Sequence, residues 1–123
     1  MGASELITTS VEHRNGAVLL AVEGEIDSCT APILNTAISE ALADKPPALV
    51  LDFSRVQFLA AAGLRVLLKT KDTVGSSANF ALVCSSGVIS KVVRLVGLDA
   101  TFSLCKTVDD ALASVSRNME SRG

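Results

Sequence analysis

At 123 residues, 49 % apolar and 20 % charged, the chain has the size and composition of one globular domain (1–123) whose core needs no metal or disulfide scaffold. A net charge of −2 without a Lys/Arg cluster leaves no electrostatic footprint for nucleic acid, and four Phe with no Trp or Tyr offer few stacking platforms for single strands. No apolar run reaches membrane-spanning length, and Met1-Gly2-Ala3-Ser4-Glu5 lacks the basic and apolar regions of a signal peptide, so a cytoplasmic location is expected.

The first element is a β-rich stretch from Leu6 to His13, followed by an Asn15-Gly16 turn signal and a second strand over Ala17–Val22. Together they predict an antiparallel hairpin, with His13 an exposed residue beside its turn. Next comes Gly24-Glu25-Ile26-Asp27-Ser28-Cys29-Thr30-Ala31-Pro32. Thr30 reads as a helix N-cap, with Pro32 tolerated in the first turn. Ile33, Leu34, Ala37, Ile38, Ala41 and Leu42 then mark one helical face. Asp27 has two open readings, a cap or turn residue and a functional acid.

Lys45-Pro46-Pro47 breaks that helix. Leu49-Val50-Leu51-Asp52-Phe53-Ser54 has the length and character of a buried, parallel strand, and a loop over Arg55-Val56-Gln57-Phe58-Leu59 is expected to lead into the next helix. Its N-terminus is expected near Ala60-Ala61-Ala62-Gly63, where unpaired N–H groups and the positive dipole end gather. Leu64, Leu67, Leu68 and Val74 are expected on its apolar face.

Gly75-Ser76-Ser77 predicts a turn, and Asn79 to Cys84 another buried strand. Ser85-Ser86-Gly87 opens a helix carrying Val88, Ile89, Val92, Val93, Leu95 and Val96, closed by Gly97-Leu98. Thr101-Phe102-Ser103-Leu104 reads as a short last strand. Thr107-Val108-Asp109-Asp110 starts a final helix through Ala111, Leu112 and Val115, with fraying expected from Ser116. The acidic pair Asp109-Asp110 complements the helix dipole. Strand–helix alternation after the hairpin predicts βαβ units, hence an α/β fold with a mostly parallel sheet.

Catalytic patterns are missing. The single His13 lies at a hairpin, and Gly-x-Ser-x-Gly, Walker and dinucleotide-binding patterns are absent. The three cysteines, Cys29, Cys84 and Cys105, are not at metal-ligand spacing, so neither a metal nor a cofactor is expected, and an enzyme is not expected.

Two segments carry a resemblance. Asp52-Phe53-Ser54, Phe58-Leu59 and Gly63-Leu64 resemble the signature of STAS domains, in particular the bacterial anti-sigma factor antagonists (anti-anti-sigma factors). Gly24-Glu25-Ile26-Asp27 with Thr30-Ala31 resembles the family's second signature. The resemblance runs from Leu6 to about Val115, a core of 6–115. It implies a (βα) superhelix with sequential strands, the N-terminal hairpin joined to the mostly parallel sheet, and helices mainly on one face. It also implies an anti-sigma factor of the serine-kinase type as partner, bound through Asp27, Ser28, Cys29, Thr30, Ala60, Ala61, Ala62, Gly63 and Leu64, so that a sigma factor is released for transcription.

The chain departs from the pattern at one place. Ala60-Ala61-Ala62 stands where the family has Asp-Ser-Ser, and Ala61 occupies the phosphoacceptor position. The resemblance thus implies an antagonist without the usual serine switch. Ser54, Ser76 and Ser85 are the alternative acceptors weighed against that reading. The other function class is an accessory or sensory STAS domain (a scaffold, a small-ligand sensor or a thiol-redox sensor) without a kinase partner. For the redox case, the sequential strand order implied by the resemblance makes the strands ending at Cys84 and Cys105 neighbours, open either to a disulfide or to simple packing as small buried hydrophobes. Cys29, near a helix N-terminus, is the other candidate reactive thiol.

Overall fold

The computed structural model describes residues 7–14, 16–74, 79–84, 87–95, 97 and 103–122. In chain order these form β1 (Ile7–Arg14), β2 (Ala17–Ile26), α1 (Ala31–Ala41), β3 (Ala48–Leu59), α2 (Ala61–Val74), β4 (Asn79–Val83), α3 (Gly87–Leu95), β5 (Ser103–Cys105) and α4 (Val108–Arg122). The strands make one sheet in sequential order, β1-β2-β3-β4-β5. β1 runs antiparallel to β2, and every later pairing is parallel. Gly16, at φ +85°, supplies the left-handed residue that the tight hairpin needs. Lys45 also takes a left-handed φ, 51°, where the chain leaves α1 ahead of the two prolines.

Side-chain alternation gives the sheet two apolar faces. Val18, Leu20 and Val22 of β2, Leu49, Leu51 and Phe53 of β3, and Phe80 and Leu82 of β4 share a core with Leu34 and Ile38 of α1, Leu67 of α2, and Ile89 and Val93 of α3. The intervening residues Ala17, Leu19, Ala48, Val50, Ala81 and Val83 form the other face, which packs on Ala111 and Val115 of α4. Small residues predominate there, letting α4 lie close to the sheet. Helices mainly on one face, as the resemblance implies, is thus the arrangement found: α1, α2 and α3 cover one side and α4 the other.

Several expectations need correction. The loop expected over residues 55–59 is strand: β3 continues to Leu59, alongside a β2 that extends to Ile26 rather than ending at Val22. Register shifts at Ala21/Glu23 and Gly24/Glu25 accompany this extension. Such shifts turn successive side chains off strict alternation, so Phe53, Val56 and Leu59 are buried at every third position.

On α2 the expected apolar face is found in part. Leu67 is buried and Leu64 and Val74 pack against the core, but the buried stripe is centred elsewhere and leaves out Leu68. Gly63, Val66, Leu67 and Thr70 are buried, whereas Leu68 is 49 % exposed and Leu64 half-buried. The buried Thr70 hydroxyl is satisfied, donating to the Val66 carbonyl at 2.8 Å. On α3, Ile89 and Val93 are buried, whereas Leu95 is 75 % exposed at the helix end. There the Gly97 N–H donates to the Arg94 carbonyl at 3.0 Å. α4 does not stop near Ser116 but continues to Arg122. Its start is capped as expected, with Thr107 Oγ1 accepting from the Asp110 N–H at 3.1 Å. The Asn15 position, the Gly75-Ser76-Ser77 turn, Ser85-Ser86, Leu98 and Thr101-Phe102 lie outside the described residues.

Phe53 is the largest of the fully buried side chains, in a core otherwise almost wholly aliphatic. Its truncation leaves a cavity whose aliphatic walls cannot collapse completely. Phe53→Ala is expected to lower the unfolding free energy by about 3–5 kcal/mol, read from the urea midpoint at unchanged m-value.

Candidate functional site

The predicted site residues come from two corners, β2 to α1 and β3 to α2, and the sheet brings these together. Ile26 and Leu59, the last residues of β2 and β3, are register partners. One residue further on, the Ala60 N–H donates to the Ile26 carbonyl at 2.9 Å, so the ladder continues into the second corner. Ala60 itself is the N-cap position of α2. Its carbonyl accepts from the N–H groups of Gly63 at 2.9 Å and Leu64 at 3.2 Å. Its methyl group offers no acceptor to the free N–H groups of the first turn, and the first turn contains no acid.

The first corner is built by its own polar side chains. Asp27 Oδ1 accepts from the N–H groups of Cys29 at 2.9 Å and Thr30 at 3.1 Å. Thr30, buried, donates its hydroxyl to the Glu25 carbonyl at 2.8 Å and accepts from the Asp27 N–H at 2.9 Å. Thr30 therefore holds the N-cap position of α1, but its oxygen is turned back on the loop and makes no cap hydrogen bond. Asp27 acts as the turn residue. These bonds fix the corner's shape and leave Ser28 and Cys29 exposed at its tip.

Gly63 locks the two corners together. A Cβ at this position would lie 2.5 Å from Leu59 Cδ1 and 2.6 Å from Ile26 Cγ2. The first turn of α2 thus rests directly on the two strand ends, an approach only glycine allows. Ala62 packs against the core, while Ala61, one position before it, is exposed. Gly63 is accordingly a packing residue under the site rather than part of its surface.

Two exposed apolar side chains border this edge that sequence reasoning did not assign to it: Phe58, 50 % exposed, and Leu68. Phe58 immediately precedes Leu59 at the end of β3. Leu68 follows Ala61, Leu64 and Arg65 along one side of α2 at helical spacing. That spacing was visible in the sequence, but it was indistinguishable from a core-facing stripe until the position of Gly63 fixed the helix rotation.

The thiol pair is not brought together. Cys105 aligns with Val83, and the Cys84 N–H donates to the Cys105 carbonyl at 2.9 Å, so the backbones are adjacent. Alternation, however, sends Cys84 into the core beneath α1–α3 and Cys105 onto the α4 face. A disulfide between opposite faces of a sheet is geometrically excluded. Burial, reinforced by Asp52 and partly offset by Arg94, pushes the Cys84 thiol up to about 12, which keeps it protonated. Cys29 is exposed at the first corner. Among the described residues no group of three or more His, Cys, Asp and Glu side chains is placed to hold a metal ion, and no helix is long and apolar enough to cross a membrane.

Comparison with known proteins gives concordant findings. The STAS domain family model matches residues 8–111. The chain is 44 % identical over 115 residues to the anti-sigma-F factor antagonist RsfB of Mycobacterium tuberculosis, spanning 94 % of each chain. It superimposes with a TM-score of 0.86 on the crystal structure of an anti-sigma factor antagonist from Mycobacterium paratuberculosis, at 44 % identity over 89 % of this chain and 94 % of that one. Unphosphorylated SpoIIAA, another anti-sigma factor antagonist, shares the fold with a TM-score of 0.72 at 19 % identity, over 89 % of this chain and 97 % of that one.

Gly63→Ala is expected to destabilise the protein by about 1–3 kcal/mol, because backbone or strand-end side chains must move to admit the methyl group; thermal or urea unfolding measures it. Brief treatment of the native protein with iodoacetamide at neutral pH is expected to alkylate Cys29 and to leave Cys84 unmodified until the chain is unfolded. Peptide mass mapping reads both sites.

Proposed function

Because this chain belongs to the STAS domain family, we propose that it acts as an anti-sigma factor antagonist: it binds an anti-sigma factor of the serine-kinase type and so frees a sigma factor for transcription. The observation that carries this reading is the 44 % identity to RsfB over nearly the whole length of both chains. The docking surface is the edge formed by Asp27, Ser28, Cys29, Ala60, Ala61, Ala62 and Leu64, held from beneath by Thr30 and Gly63 and extended by Phe58 and Leu68. Its support is geometric, since Ile26, Ala60 and Gly63 hold both corners in one rigid unit. The exposed apolar side chains supply buried area on docking, and the rigid corners lose little conformational entropy when they bind.

The same edge operates without a serine switch. A phosphate adds about −1.5 to −2 charges at the start of α2 and opposes docking through the apolar side chains around it, because the charge must be desolvated. Ala61 has no hydroxyl, so the exposed position at the start of α2 stays neutral and the protein stays competent to bind. The domain works as a cytoplasmic protein–protein interaction module without a cofactor and without catalysis of its own.

With the anti-sigma factor as bait, Leu68→Glu and Phe58→Glu are each expected to weaken binding at least about tenfold, or about 1.4 kcal/mol, with little change in thermal midpoint. In the presence of that partner and ATP, the wild-type chain is expected to remain unmodified, while Ala61→Ser takes up phosphate, by intact-protein mass spectrometry. Stoichiometric phosphate on Ser54, Ser76 or Ser85 of the wild-type chain overturns the switch-free reading. Failure to bind any anti-sigma factor overturns the assignment itself.

A further inference from the structure

β1 is an outer strand, paired only along its β2 side among the described residues. Every residue of it except Ile7 is exposed. Such an edge turns alternate N–H and C=O groups toward solvent and is a template for another strand. The usual deterrents are sparse here. β1 contains no Pro, and its register with β2 is unbroken over all 8 residues, in contrast to the shifts between β2 and β3. Its charges are confined to one end, where Arg14 Nε pairs with Glu12 Oε2 at 2.8 Å, leaving Ile7 to Val11 uncharged. Thr9, Val11 and His13 share the face of their partners Val22, Leu20 and Val18, while Thr8, Ser10, Glu12 and Arg14 lie on the other. Val11, 52 % exposed, is the large aliphatic side chain that this strand leaves in water.

We infer that β1 pairs antiparallel with β1 of a second copy of this chain, about a two-fold axis at Val11, joining the two sheets into one. Charge and the length of strand paired choose the register. An axis at His13 would set Glu12 against Arg14 but pair only the last residues of β1. An axis at Glu12 would set Glu12 directly against its own copy, a destabilising like-charge pair. An axis at Ser10 would set Val11 against a threonine. With the axis at Val11, valine meets valine, Thr9 meets His13, Ser10 meets Glu12 and Thr8 meets Arg14. Each charged side chain then faces a hydroxyl of the other copy, which donates to the carboxylate or accepts from the guanidinium. The interface is self-complementary, as a two-fold contact must be. It is also separate from the edge proposed to bind an anti-sigma factor, which lies beyond the ends of β2 and β3.

One strand pair is a small interface, so a dissociation constant between about 10 µM and about 1 mM is expected. Sedimentation equilibrium of the full chain up to about 2 mM, past the upper end of that range, tests it. The average mass should climb from 12.7 kDa toward twice that value. Val11→Lys, which sets like charges against each other on the axis, should hold the protein at the monomer mass with an unchanged thermal midpoint in dilute solution. In a Cys29→Ser background, Val11→Cys should form an intermolecular disulfide under mild oxidation far faster than Leu95→Cys, exposed elsewhere on the surface. A monomer across the whole range overturns the inference. So does a dimer that survives Val11→Lys, or cross-linking no faster at position 11 than at position 95.

Discussion

The joint between the ends of β2 and β3 governs the rest of the structure. The Ala60 N–H to Ile26 carbonyl bond closes it on the backbone side, and the contact of Gly63 with Ile26 and Leu59 closes it on the side-chain side. The packing is the larger effect. A backbone hydrogen bond contributes about 0.5–1.5 kcal/mol net, whereas burying a single Ile or Leu contributes about 1.5–3 kcal/mol. Glycine in a helix costs about 1 kcal/mol relative to alanine, a smaller amount than the combined burial of the two strand-end side chains it admits. The helix therefore accepts a poor helix former at Gly63 because that residue seats it on the strands.

This joint explains how a largely irregular edge becomes a defined surface. Asp27 and Thr30 spend their polar atoms on their own loop, and Thr30 is buried in doing so. At the tips of the corners what remains outward is small, Ser28, Cys29 and Ala61, bordered by the apolar Phe58 and Leu68 and by the charged Glu25 and Arg65. The Asp27 carboxylate and the buried Thr30 hydroxyl are thus already engaged within the fold. The three alanines make the edge simpler still, at the cost of a side-chain cap on α2.

The sheet separates two jobs by side-chain parity. One face carries large residues and the three helices α1, α2 and α3, two of which start at the candidate edge. The other carries alanines and valines under α4. The same parity decides the fate of the cysteines: adjacent backbones at the ends of β4 and β5 send Cys84 and Cys105 to opposite sides, and Cys84 becomes a small protonated hydrophobe in the core.

Local pattern was sufficient for the order of elements. Asn15-Gly16 between two β-rich stretches, the α1 stripe through Leu34 and Ile38, and the prolines after Lys45 each act within a few residues of themselves, so their consequences are legible in the chain. The two segments around Asp27 and Gly63 were legible as well, through their resemblance to STAS signatures. What the chain could not show locally depended on distant partners. Residues 55–59 extend β3 because the end of β2 lies beside them, and register shifts there remove the alternation by which a strand is recognised. The buried face of α2 turns on Gly63 meeting Ile26, thirty-seven positions away in the sequence, so Leu68 faces solvent although its spacing suits a core. Helical periodicity defines a stripe, but only the surface against which a helix packs decides which stripe is buried.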